Sequence, residues 1–190
     1  MDLNIYVSDY LNQIKQICDL IDKENIISFI NHIQVLKNRK GRLFIAGVGG
    51  SAANAAHAVN DFRKILNIES YSISENVSEL TARINDESWE TSYLNWLKVS
   101  QFGENDAILI FSVGGGTDKV SLNLVRCLEY ASEIGSMKLS VVSRDGGKSK
   151  ELSDCCVLIP VVDQEKITPH AEEWQGVILH LVVNALYKKI

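Results

Sequence analysis

The 190-residue sequence predicts a doubly wound α/β protein: a parallel sheet flanked by helices, preceded by an N-terminal helical extension. Three observations carry this. Apolar runs and amphipathic segments alternate from Arg42 onward, which implies parallel strands joined by crossover helices. Glycine-rich turns at Gly47, Gly114 and Gly146 follow three of the apolar runs, where α/β sheets bind ligands. Two amphipathic helices come before the first strand.

Between Ser8 and Ile21, the residues Leu11, Ile14, Ile17, Cys18 and Ile21 recur at helical intervals. Lys23 to Asn38 repeats the pattern with Ile26, Ile27, Ile30, Ile33 and Leu36, and Gly41 is the expected stop. Both apolar stripes need cover, from the domain's own sheet or from another subunit. Arg42 to Ala46 reads as the first strand, Gly47-Val48-Gly49-Gly50-Ser51 as a turn, and Ala52 to Lys64 as a helix. Glu69 to Ser74 is a short strand, and Glu75 to Gln101 is helical in parts. Asp106 to Ser112 has the composition of a buried strand. The turn Val113-Gly114-Gly115-Gly116-Thr117 leads to a helix from Asp118 to Glu133, with Val120, Leu124, Val125 and Leu128 on one side. Lys138 to Ser143 is a strand, Lys148 to Leu152 a helix, and Cys155 to Val162 the last strand. Thr168 and Pro169 read as the N-cap and first residue of a helix that runs to about Tyr187.

With two prolines and no linker or repeat, the chain reads as one domain over 1–190, with helices over 1–40 and an α/β core over 41–190. It is 46% hydrophobic and 23% charged with a net charge of −5, which argues against a nucleic-acid binder built on a basic face. No apolar run reaches the roughly 18–20 residues that span a bilayer. No secretory signal is visible after Met1, so a cytoplasmic protein is expected, with Cys18, Cys127, Cys155 and Cys156 as reduced thiols. Trp89, Trp96 and Trp174 read as packing or interface anchors, and His32 and His170 as surface residues.

The Gly47 turn has the local form of an anion site, because helix N-termini present free N–H groups and partial positive charge. It is not the dinucleotide fingerprint: Ala52 stands where the third glycine belongs, and no acidic residue clearly ends the second strand. His57 and Asp61 lie four apart on the following helix and share a face. Taken singly, His57 reads as a packed core histidine, Asp61 as a surface carboxylate and His180 as a helix residue facing a core or interface.

Taken together, Gly47-Val48-Gly49-Gly50-Ser51-Ala52-Ala53 with His57 resembles the first motif of the sugar isomerase (SIS) domain, and more closely its phosphoheptose isomerase branch. Asn85-Asp86, Ser112 to Thr117, Arg144-Asp145-Gly146-Gly147, and Thr168-Pro169 through Glu173 to His180 extend the resemblance over nearly the whole chain. The resemblance implies the SIS fold and an aldose–ketose isomerase that converts sedoheptulose 7-phosphate to D-glycero-D-manno-heptose 7-phosphate through an enediol. It implies Asp61 and His180 as the acid/base pair. It implies one zinc ion per subunit held by His57, Asp61, Glu172 and His180, a chemically sensible donor set. Substrate contacts would come from Val48, Gly49, Gly50, Ser51, Asn85, Asp86, Ser112, Val113, Gly114, Thr117 and Glu172. The family forms tetramers with sites at subunit interfaces, so a homotetramer is expected; no membrane or nucleic-acid partner is.

Four positions depart from the family pattern. Val48 replaces an asparagine. The turn from Ser112 to Thr117 lacks two hydroxyls of the family's phosphate turn, each worth ~1.5–3 kcal/mol as a hydrogen bond to a charged group. Asp61 replaces a glutamate, and a base displaced by about 1 Å costs on the order of a hundredfold in rate. Glu172 replaces a glutamine, which favours a cation and disfavours a nearby anion. The pattern predicts a kept acid/base end and a thinned phosphate end. A non-catalytic SIS scaffold that binds a protein is the second reading; a sugar-phosphate sensor has little support.

Overall fold

The computed structural model describes residues 2–188. Five parallel strands form one sheet in the order β2-β1-β3-β4-β5: β1 Leu43–Ala46, β2 Ser70–Ser72, β3 Ala107–Phe111, β4 Met137–Val142 and β5 Cys155–Leu158. The chain steps outward from β1 to β2, then crosses back to place β3 on the other side of β1. The switch point therefore lies between β1 and β3, where open α/β sheets hold ligands. Among the described residues, no helix is long and apolar enough to cross a membrane.

The helices are α1 Leu3–Leu20, α2 Lys23–Asn38, α3 Gly50–Lys64, α4 Val77–Asp86, α5 Trp89–Val99, α6 Leu122–Glu133, α7 Gly147–Leu152 and α8 Ile167–Tyr187. One core packs α2, α3 and α8 on one sheet face, through residues such as Phe29, Ile33, Phe62, Leu109 and Ile178. The other packs α5 and α6 on the opposite face, around Phe44, Tyr93, Ile108 and Leu128. The central strands are buried throughout, which accounts for their continuous apolar runs.

Several boundaries differ from the sequence reading, each for a local reason. The first helix starts at Leu3 rather than Ser8, because the Asp2 side chain caps it by accepting from the Asn4 N–H at 2.8 Å. The segment 75–101 divides at Glu87–Ser88, where the Ser88 hydroxyl caps α5 by accepting from the Thr91 N–H. The helix expected from Asp118 begins at Leu122. Thr117 Oγ1 accepts from the N–H groups of Lys119 and Val120, and the Thr117 N–H donates to the Val120 carbonyl. That local turn competes with helix and leaves Val120 exposed rather than on the apolar face. Helix α8 begins two residues before Pro169, which is tolerated in the first turn because its missing N–H would be unpaired there.

The stripe of α2 enters the core, although Ile27 stays exposed. That of α1 enters only in part: Ile17 and Ile21 are buried in the core and Ile14 is half-buried, whereas Leu11 and Cys18 are exposed, as are Leu3, Ile5 and Val7 outside the stripe. Against expectation His170 is buried, at 3% exposure. Helix α1 lies across the start of α8 and covers it. The Tyr10 ring packs 4.7 Å from the imidazole, whose nitrogens lie 2.9 Å from Gln13 Oε1 and 3.2 Å from Glu173 Oε2. Burial, with the Glu173 carboxylate, pushes the Tyr10 hydroxyl up to about 12. Gln13 also donates to Asp163, which pairs with Lys166. His32 is half-buried beside the Ser28 carbonyl.

Candidate active site

Strand β1 delivers the chain to Gly47, whose carbonyl accepts a buried hydrogen bond of 3.0 Å from the Tyr93 hydroxyl on α5. Burial pushes Tyr93 up to about 12, so it stays a donor at neutral pH. Gly49, at φ 64°, caps α3 without a side chain, a conformation that favours glycine. Ser51 Oγ accepts from Gln175 Nε2 at 3.0 Å, and Gln175 Oε1 accepts from Asn54 Nδ2 at 2.9 Å. These bonds tie α3 to α8 and leave the Ser51 O–H free to donate.

A cavity of about 790 Å³ opens at the strand ends between the turns after β1, β3 and β4. Val48, Ser51, Ser112, Val113, Gly114 and Thr117 line it, all singled out in the sequence. Gly49 and Gly50 sit in the same turn without lining the cavity. Asn85 and Asp86 are not brought there: they are exposed at the end of α4, and Asn85 Nδ2 donates to Asp86 Oδ1. Sequence reasoning missed Ser121, Arg144, Gln164 and Thr168 as lining residues. Arg144 had a usable signal, since its turn follows a strand at the sheet's ligand end. Ser121 had none, because it reads as the interior of a helix.

The residues expected to carry acid/base work, Asp61 and His180, meet elsewhere, where α3 and α8 bring them together with His57. His57 Nε2 and His180 Nε2 each lie 3.5 Å from Asp61 Oδ2, and the two rings stand 5.0 Å apart. Asp61 is buried while both histidines are about half exposed. Asn60 Nδ2 donates to Asp61 Oδ1 at 2.9 Å, which leaves Oδ2 facing the imidazoles. Helical rise puts His57 about 9 Å and Asp61 about 15 Å along α3 from Ser51. His57, Asp61 and His180 could hold a metal ion, and their spacing suits zinc, since tetrahedral bonds of about 2.0–2.1 Å put ligand atoms a little over 3 Å apart. Glu172 stands apart from this trio. Its carboxylate packs against Gly50, where a Cβ would lie 2.4 Å from Oε2, at the positive end of α3. None of the four lines the cavity, so the cavity and the His57–Asp61–His180 cluster are distinct parts of the surface.

No family model matches the chain. The fold is that of a phosphoheptose isomerase from Neisseria gonorrhoeae, with a TM-score of 0.84 at 17% identity over 97% of this chain and 96% of that one. A phosphoheptose isomerase from Francisella tularensis superposes equally well, at 0.84 with 16% identity over the full length of both chains. The sheet order, its helical layers and these likenesses define a sugar isomerase (SIS) fold. In sequence, the chain is 31% identical to a phosphoheptose isomerase of Helicobacter pylori over 159 residues, 81% of this chain and 78% of that protein. It is 26% identical to one of Clostridium acetobutylicum over 187 residues. The chain belongs to the phosphoheptose isomerase family.

Proposed function

We propose that this chain is an aldose–ketose isomerase that interconverts sedoheptulose 7-phosphate and D-glycero-D-manno-heptose 7-phosphate, with Asp61 and His180 carrying the proton transfers. The observation that carries the reading is the convergence of His57, Asp61 and His180, whose ligand atoms lie within 4.8 Å of one another. Asp61 Oδ2 takes the proton from C1 of the ketose, and the C–H electrons become the C1–C2 double bond as the C2 carbonyl oxygen gains a proton. The enediol returns a proton to C2 and loses the one on O1, leaving an aldehyde at C1. His180 serves the oxygens when no metal occupies the trio, since a general acid must lie within hydrogen-bond reach of the atom whose proton it moves. His57, Asp61 and His180 would hold zinc, which when bound polarises the carbonyl and offsets negative charge on its oxygen. The 47–51 and 112–117 turns take the phosphate end. Glu172 serves the sugar hydroxyls.

The molecule acts as a cytoplasmic single-domain homotetramer with sites at subunit interfaces. Supporting this, Val177 and Leu181 are exposed beside His180, and α1 leaves a row of apolar side chains uncovered. A scaffold that binds only a protein would have no use for two histidines aimed at one buried carboxylate. The test is an assay of purified, zinc-loaded protein with sedoheptulose 7-phosphate. Aldose formation is expected, with loss of rate after chelation; zinc-loaded protein that makes no aldose would overturn the reading.

A further inference from the structure

We propose that Arg144, supported by Ser121, is the phosphate anchor of the cavity and replaces the hydroxyls that the 112–117 turn lacks. The inference rests on the isomerase reading for its substrate, and on the cavity for its chemistry. Arg144 is the only cation lining the cavity among the described residues. The other five arginines each donate to a carboxylate or a backbone carbonyl: Arg39 and Arg42 around Asp106, Arg63 to Ser70, Arg83 to Glu79 and Arg126 to Glu90. Arg144 has no ion pair among the described residues and is exposed. The one acidic lining residue, Asp145, is engaged locally, its Oδ1 accepting from the Gly147 N–H at 3.1 Å.

Backbone conformation singles out the same place. Five non-glycine residues have positive φ: Lys40, Asn67, Gln101, Ser121 and Arg144. The first three follow the ends of α2, α3 and α5, where a left-handed residue is a routine helix ending. Ser121 and Arg144 have no such cause, and both line the cavity. Ser121 sits at the N-cap of α6, a position that ordinarily takes extended geometry. Strained residues of this kind are held where a site requires them.

Part of the surrounding turn's donor capacity is spent within the fold. The Gly115 N–H donates to Ser112 Oγ, and the Thr117 N–H to the Val120 carbonyl. The first N–H groups of α7, from Lys148 and Ser149, donate to the Gly116 and Gly115 carbonyls, so that helix end packs on the turn instead of facing the cavity. Neutral donors remain in the hydroxyls of Ser51, Ser112, Thr117, Ser121 and Thr168, the Gln164 amide and the turn's other N–H groups; the Arg144 fork brings the positive charge. Arg144 Cδ passes 3.7 Å from where a Cβ on Gly114 would stand, so the stem lies over the bare backbone. A planar fork with several N–H donors suits bidentate capture of phosphate oxygens.

The experiment compares the wild type with Arg144→Ala, Arg144→Lys and Arg144→Gly, the last because glycine relieves the positive φ and guards against a folding defect. The anchor role expects Arg144→Ala and Arg144→Gly to raise KM for sedoheptulose 7-phosphate at least tenfold with kcat changed less than threefold. Inhibition by inorganic phosphate should weaken by a similar factor, turnover of unphosphorylated sedoheptulose should be unaffected, and Arg144→Lys should recover part of the loss. An unchanged KM and unchanged phosphate inhibition would overturn the proposal. If the wild type does not isomerise the sugar, the isomerase reading fails but calorimetry with inorganic phosphate still decides. Wild-type binding that Arg144→Gly abolishes supports the anchor, whereas binding by both or by neither overturns it.

Discussion

Asp61 illustrates how a residue's chemistry follows from its surroundings. The sequence alone makes it a surface carboxylate, yet it is 7% exposed, because α8 packs beside α3 and brings His180 over it. Its 3.5 Å contact with His57 was readable from their spacing on one helix; its contact with His180, across 119 positions of chain, was not readable from spacing at all and came only through family resemblance. Changing His57 to Ala removes one of three donors. We expect protein carrying His57→Ala to lose its zinc on dialysis while the wild type keeps about one per chain, as read by metal analysis; equal retention would reject the ligand role. Glu172 shows the converse. Helix geometry lets it share a face with His180, about 80° away around the axis, but its carboxylate lies against Gly50 at the start of α3.

At the scale of elements, the strands were the most legible part, since burial on both faces demands uninterrupted apolar runs. Helix starts were less so. The delayed start of α6 depends on one threonine hydroxyl that closes a turn, and the early start of α8 on a proline that fits the first turn as well as its edge. The turns after β3 and β4 are built as a pair. A Cβ at Gly115, at φ +71°, would stand 1.9 Å from the Gly146 carbonyl oxygen. Gly115→Ala must therefore both strain the backbone and part the two turns, at a cost of at least about 2 kcal/mol. Denaturant melts should show that loss together with weaker sugar-phosphate binding; a variant as stable as the wild type would mean that the turns do not need their close contact.

At the scale of the whole molecule, α1 is the element whose role its own chain explains least. One side enters the core through Ile17 and reaches the start of α8 through Gln13, which donates to Asp163, itself paired with Lys166, while Leu3, Ile5, Val7 and Leu11 are exposed. Asp163 is held below its ordinary value of 3.8 by hydrogen bonding to Lys166 first and to the Glu165 N–H second. A lowered folded-state value means that the contribution is complete above pH ~4 and fades as pH falls through the folded value. Asp163→Asn should therefore reduce the melting temperature at neutral pH, and the difference from wild type should shrink in more acidic buffer. A difference independent of pH would remove the charge pair from the account. The exposed apolar residues of α1 predict assembly: sedimentation should give a tetramer, reduced to smaller species by Leu181→Glu beside His180, and a monomeric wild type would contradict it.

The claim on which all of this depends is that Asp61 moves a proton between two sugar carbons. The most direct measurement is isomerisation of sedoheptulose 7-phosphate in D2O by the zinc-loaded protein, followed by proton NMR at C2 of the aldose. The account predicts solvent deuterium at C2 with the wild type, and a rate at least about a hundredfold lower with Asp61→Asn. Product formed with no solvent deuterium, or formed as fast by Asp61→Asn as by the wild type, would contradict it.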